Sequence, residues 1–244
     1  MTKPEFTLIQ GDARQQALCR LLEDAGYRTQ LLPAPDKWKY ENLPPPGTRL
    51  PVASITPALT QCAEEQGFLL MEYGNRPDFK AENGQITAEN ALCLAMLRGL
   101  VLRDTNVLVL GYGAIGSALT QKLLLMGAKV WTSARSTQAL DAIGRSGACP
   151  VPLQQLSTVL PQVSLIFNTI PAMVLPAETL SHVTAGTQIF DLASYPGGMD
   201  FAAARAMGLD AFPALGLPGK MTPQRAAEAI FHTIVQMLRE ENLC

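Results

Sequence analysis

The chain has 244 residues, 48% of them hydrophobic and 16% charged, with a formal net charge of −2. This is a globular composition, ample for one large or two small domains. Near-neutral charge without a Lys/Arg cluster argues against a nucleic-acid or anionic-membrane partner, and no run approaches the roughly 18 uninterrupted apolar residues of a membrane span.

The opening segment MTKPEFTLIQ lacks the apolar core of a signal peptide, so a cytoplasmic location is expected. An α/β rhythm comes next: 6–10 reads as a strand, 13–25 as a helix ended by Gly26, and 29–32 as a second strand. The proline-rich stretch 33–51 predicts an irregular loop with at most short strands. A helix over 58–66 and a strand over 68–73 close the segment, and the polar run 74–84 (GNRPDFKAENG) reads as a loop. Thr87 then suits the N-cap of a long helix over 88–103.

The most informative stretch is 107–116, VLVLGYGAIG, in which four apolar residues run into Gly111-Tyr112-Gly113-Ala114-Ile115-Gly116. A G-x-G-x-x-G pattern alone is weak, but here 117–126 has helical apolar spacing, Gly127 suits a helix end and 129–132 reads as a strand. The unit therefore predicts a dinucleotide-binding turn. Gly111 permits the tight turn, Gly113 leaves room for the pyrophosphate, Gly116 lets helix and strand pack closely, and the helix N-terminus favours negative charge.

The residues after the second strand of this unit bear on cofactor choice. Thr132-Ser133-Ala134-Arg135-Ser136-Thr137 contains no carboxylate to accept ribose hydroxyls, whereas a guanidinium and several hydroxyls suit a ribose 2′-phosphate. NADP(H) is therefore expected, read by Arg135 and Ser136. Ser136 also suits a helix N-cap, with Arg135 a solvated surface charge.

Further strands are expected at 165–168, 188–192 and 210–213, giving an α/β, Rossmann-type doubly wound parallel sheet. The last helix, 223–240, carries an inward stripe of Ala227, Ile230, Ile234, Met237 and Leu238. Residues 1–85, completed by 223–244, are expected to form a smaller α/β domain for substrate and partner, and 86–222 the NADP-binding domain. The helices 88–103 and 223–240 would form a hinge, with the active site in the cleft between.

Ligands of open parallel sheets lie beyond the strand C-termini. Three loops stand there: Asn168-Thr169-Ile170-Pro171; Asp191-Leu192-Ala193-Ser194-Tyr195-Pro196-Gly197-Gly198; and 213–220, with Gly216, Leu217, Pro218 and Lys220. Their Pro and Gly density suits backbone held close to a nicotinamide ring. Cys19, Cys62, Cys93, Cys149 and Cys244 are scattered without C-x-x-C spacing, so neither a disulfide framework nor a zinc site is indicated. His182 and His232 fall in stretches that read as helical and suit surface or packing roles.

The blocks GDARQ (11–15), ITAENAL (86–92), VLGYGAIGSALT, SARS, FNTIPAMVL, DLASYPGGMDF and ALGLPGKMTPQRAA together resemble the A-subunit family of dipicolinate synthase from spore-forming bacteria. The region between Gln30 and Asn83 looks shorter than the family's first domain, and Tyr195 stands where the family pattern leads one to expect an arginine. The resemblance implies NADP-dependent oxidation of a dihydrodipicolinate-type intermediate to pyridine-2,6-dicarboxylate, and a flavoprotein-like partner, the B subunit of dipicolinate synthase. Aromatisation supplies driving force, so positioning matters more than a strong proton relay. For the dicarboxylate the candidates are Arg14, the helix N-terminus after Thr87, Ser194, the Gly197-Gly198 backbone and Lys220, which is also the candidate general base. Glu89, beside the expected cap, suits the helix dipole. Two other readings stay open, an NADP-dependent oxidoreductase of another small acid and a non-catalytic NADP(H)-binding scaffold, as does a homo-oligomer.

Overall fold

The computed structural model describes residues 3–34 and 43–243; positions 35–42 of the proline-rich stretch and Cys244 lie outside them. The chain divides into two units, Met1–Ile86 with Pro218–Cys244, and Thr87–Leu217.

The first unit alternates β1 (Glu5–Ile9), α1 (Ala13–Asp24), β2 (Arg28–Leu32), β3 (Arg49–Val52), α2 (Pro57–Gln66) and β4 (Leu69–Glu72). Its parallel sheet has the order β2-β1-β3-β4. The turns are written in the sequence: Asp12 caps α1, Thr56 with Pro57 opens α2, and Gly67 closes α2 at φ 77°. The long α9 (Pro223–Glu240) packs on α1, where Leu18 and Leu22 meet Ile230, Ile234 and Leu238 in one buried cluster. Each such side chain contributes roughly 1.5–3 kcal/mol on leaving water.

α3 (Pro77–Leu97) departs from the sequence reading at both ends. The run 74–84 is helix rather than loop from Pro77 onward, because Pro77 and Asp78 form a favourable first turn and Phe79 anchors it against the Tyr73 ring at 4.9 Å. Thr87 is consequently buried inside the helix and caps nothing. The helix ends before Gly99 (φ 87°), where Gly99 N–H donates to Met96 O and Leu100 N–H to Ala95 O, the paired bonds of a glycine C-terminal motif.

In the second unit β5 (Asn106–Leu110), α4 (Ala114–Leu125), β6 (Lys129–Ala134), α5 (Thr137–Arg145), β7 (Cys149–Pro152), β8 (Leu165–Asn168), α6 (Ala177–Leu180), β9 (Gln188–Asp191), α7 (Phe201–Ala206) and β10 (Asp210–Pro213) follow in order. All six strands are parallel in the order β10-β9-β8-β5-β6-β7, the doubly wound arrangement, with its switch point between β5 and β8. Central strands β5 and β8 are buried almost throughout, as parallel strands covered on both faces must be. β7 is not evident from sequence: its Pro150 and Pro152 are tolerated because it is an edge strand. The short α8 (Leu217–Met221) precedes α9.

No helix among the described residues is long and apolar enough to cross a membrane. His182 lies in the turn after α6, which ends at Leu180, rather than in a helix; His232 is on the exposed side of α9. Among the described residues no cluster of His, Cys, Asp and Glu is arranged to hold a metal.

Candidate functional site

The β5/β8 switch point opens into a cleft of about 460 Å³ lined by Gly111 through Ile115, Ala134 through Ser136, Ala139, and Thr169 through Pro171. The three glycines of the turn have different physical tasks. Gly111 turns out of β5 at φ 97°, and a Cβ there would meet Thr169 Oγ1 at 2.5 Å. At Gly116 a Cβ would stand 2.1 Å from the Gly111 carbonyl oxygen, so this glycine is a packing requirement. A Cβ at Gly113 would meet nothing within 4 Å, leaving open space beside the N-terminus of α4, which has no side-chain cap. Open space beside uncapped N–H donors is what a pyrophosphate requires.

At the end of β6, Ser136 caps α5, its Oγ accepting from Ala139 N–H at 3.2 Å. It lines the cleft as well. Arg135 is exposed, and its guanidinium makes no hydrogen bond or ion pair with another described residue. No acidic residue occurs in the first turn of α5. An exposed cation with no carboxylate in the first turn of α5 is a set of residues that would fit a phosphate on the ribose.

The loops after β8 and β9 are tied together underneath the cleft. Asn168 is fully buried; its Nδ2 donates to Asp191 Oδ1 at 2.8 Å and to Ile170 O at 3.2 Å, while Ile170 N–H donates to its Oδ1 at 3.1 Å. Asp191, 3% exposed, also accepts from Ala193 N–H at 3.2 Å and Gly198 N–H at 3.1 Å. Asn168 and the Gly198 N–H therefore hold the loops in shape instead of presenting ligand contacts, and Leu192 and Ala193 are buried beneath them. Sequence reasoning misses Asp191; the signal available is a carboxylate ending the apolar strand QIFD, which a parallel sheet buries only when it is hydrogen-bonded. Ser194 and Tyr195 are exposed, Tyr195 at 92%, and Gly197 turns at φ 86°. Gly216, at φ 66°, marks the turn into α8, with Leu217 and Pro218 buried behind it.

In the first unit Arg14 follows β1 and is gripped by Asp12. Nε lies 2.9 Å from both carboxylate oxygens and Nη2 lies 2.7 Å from Oδ2. The hydrogen bonds from Arg14 hold the Asp12 carboxyl below the usual carboxylate range, and the same contact raises the guanidinium. Burial pushes the neighbouring Tyr73 hydroxyl up. Lys220, in α8, is exposed with no ion pair among the described residues. Thr87, expected to open a helix toward substrate, sits mid-helix with its N–H inside α3, and Glu89 pairs with Lys122 of α4 at 2.9 Å rather than facing a helix terminus.

Over 172 residues the chain is 33% identical to the dipicolinate synthase A subunit of Bacillus subtilis (strain 168), a match covering 70% of this chain and 58% of that relative. Crystal structures of the dipicolinate synthase A subunit from Bacillus subtilis and Bacillus halodurans superpose with TM-scores of 0.86 and 0.84 at 25% and 26% identity, covering 98% and 96% of this chain and 97% of each of theirs. The chain is thus similar to the A subunits of dipicolinate synthase along nearly its whole length. The sequence match spans 58% of the length of the curated relative, whereas the structural matches extend over nearly all of both chains. A transhydrogenase from Sinorhizobium meliloti, at 10% identity and TM-score 0.72 over 96% of this chain and 92% of that one, shares the fold. No family model matches the chain.

Proposed function

We propose that this chain is a cytoplasmic NADP-dependent dehydrogenase subunit of a dipicolinate synthase, oxidising a dihydrodipicolinate-type intermediate to pyridine-2,6-dicarboxylate. The observation that carries this is the open glycine turn at the switch point together with unengaged Arg135 and the lack of a carboxylate in the first turn of α5. NADP+, when bound, supplies the hydride acceptor. Gly113 leaves room for the pyrophosphate against the α4 N-terminus, and Arg135 with Ser136 holds the 2′-phosphate. Thr169, Ile170 and Pro171 form one wall of the cleft, and the buried Asn168–Asp191 bond fixes that wall.

The dihydropyridine gives up two hydrogens, one as hydride and one as a proton, and gains an aromatic ring. Much of the barrier is thereby a matter of orientation, and effective molarities of well-oriented reactants are worth roughly 7–11 kcal/mol. Arg14, Ser194, the Gly197 backbone and Lys220 are the groups assigned to the dicarboxylate, and Lys220 is assigned as proton acceptor. The partner assigned is the B subunit of the same synthase.

The test is product formation. The purified chain, alone and with the B subunit, is incubated with NADP+ and the condensation product of aspartate semialdehyde and pyruvate, and pyridine-2,6-dicarboxylate is followed by its ultraviolet absorbance. Product supports the reading. Cofactor binding without product in either arm, extended to a panel of cyclic imine dicarboxylates, would point to another substrate or to a non-catalytic role.

A further inference from the structure

The sheet of the first unit has its own switch point. In the order β2-β1-β3-β4 the chain leaves β1 to one side for β2 and returns to the other for β3, so the C-terminal ends of β1 and β3 are the position at which open parallel sheets take their ligands. The groups following β1 in that position are Asp12 and Arg14. Asp12 does two things with one carboxylate: Oδ1 accepts the Arg14 backbone N–H at 3.0 Å, capping α1, while both oxygens hold Nε and Oδ2 also holds Nη2. The guanidinium is thus fixed along one edge, and its Nη1 has no partner among the described residues.

The clamp is enclosed from the α8 side by a residue without a side chain. A Cβ on Gly219 would lie 2.3 Å from Asp12 Oδ2 and 2.7 Å from Arg14 Nε, so the backbone of α8 rests directly on the pair. Gly219 belongs to the same unit as Asp12 and Arg14. A surface arginine would need no such clearance, and an exposed ion pair of this kind contributes little to stability. The arrangement costs Arg14 its rotamer freedom and leaves one edge of a planar donor free, which is how a carboxylate is recognised.

We propose that the free edge of Arg14 seats one carboxylate of the substrate, with Asp12 as the positioning residue that aims it and Gly219 as the position that admits the clamp. The identity of the ligand rests on the function proposed above. The geometry of the clamp does not.

Binding of pyridine-2,6-dicarboxylate to the full chain saturated with NADP+, measured by calorimetry, tests this. Asp12→Asn keeps a strong helix cap and removes a negative charge near a dianion, so charge alone would tighten binding. Positioning requires the opposite: a loss of about tenfold, and a similar rise in KM with kcat little changed. Arg14→Ala should lose at least as much, and Asp12→Asn in that background should lose nothing more. Gly219→Ala, which suits a helix, should reproduce the loss with unchanged NADP+ affinity and serves if Asp12→Asn folds poorly. If the unmodified chain binds the dicarboxylate and Asp12→Asn and Gly219→Ala bind it equally or more tightly, the clamp has no such role while the proposed function stands. If the unmodified chain does not bind it, the assigned product is wrong and this seat falls with it.

Discussion

The two units each present a strand, a turn and a helix at the C-terminal edge of a parallel sheet, and they finish that turn in opposite ways. After β5 the turn is glycine: α4 begins without a side-chain cap, and a Cβ at Gly113 would find open space. After β1 the turn is filled: Asp12 caps α1 and grips Arg14, and a Cβ on Gly219 would collide with both. The same backbone motif becomes a phosphate cradle when its N–H donors are left bare and a fixed cationic edge when a carboxylate occupies them. Local side-chain chemistry, more than topology, separates the two tasks.

The largest expected effect breaks the bare turn from within. Gly116→Ala forces a Cβ to within 2.1 Å of the Gly111 carbonyl, and should lower stability by roughly 3 kcal/mol with loss of dinucleotide binding, read in chemical denaturation and cofactor titration. Retention of both would mean that β5 and α4 do not pack as described. Gly113→Ala sharpens the contrast, since its Cβ meets nothing. The melting temperature should hold while dinucleotide affinity falls about tenfold, as expected of a glycine kept for a ligand.

Asp191→Ala removes the support beneath the cleft. Three donors, Asn168 Nδ2 and the N–H groups of Ala193 and Gly198, lose their acceptor in a buried position, and roughly 2–4 kcal/mol should go with them. Urea denaturation would measure it; a change below about 0.5 kcal/mol, the range of an ordinary surface substitution, would sink the view that this carboxylate holds the two loops.

The smallest effect belongs to the filled turn. The folded-state pKa of Asp12 is depressed, so its pair with Arg14 contributes stability that is present above the ordinary carboxylate pKa of about 3.9 and is lost as pH falls through the folded value. Thermal melts from pH 6 down to pH 2 should show a slightly shallower acid decline for Asp12→Asn than for the unmodified chain. Superimposable profiles would indicate that the pair is not formed in solution.

Much of this is legible in the sequence, for physical reasons that differ by region. The helix 223–240 announces itself by apolar periodicity, because burial repeats with the helical period, whereas the strand at 165–168 shows as a short continuous apolar run, because a central parallel strand is buried on both faces. The glycine turn is legible because steric exclusion leaves no other residue type at Gly111 and Gly116. The first third of α3 is hidden, since its polar run GNRPDFKAENG carries loop residues and its anchor is Phe79 against Tyr73, a tertiary contact. β7 is hidden by prolines that only an edge position tolerates. In the site, Arg135 and Ser136 can be found from their place after the second strand of the glycine unit. The Asp191 network and the seating of Gly219 on the Asp12–Arg14 pair cannot, because both depend on residues brought together from distant parts of the chain.

The most direct test of the bare turn as an NADP seat is a fluorescence titration of NADPH and NADH into the unmodified chain and into Arg135→Ala. The expected result is NADPH bound at least about tenfold more tightly than NADH, with that preference collapsing in Arg135→Ala at unchanged melting temperature, since a charge-assisted hydrogen bond is worth roughly 1.5–3 kcal/mol. Equal affinities in the unmodified chain, or a preference that survives the loss of Arg135, would contradict it.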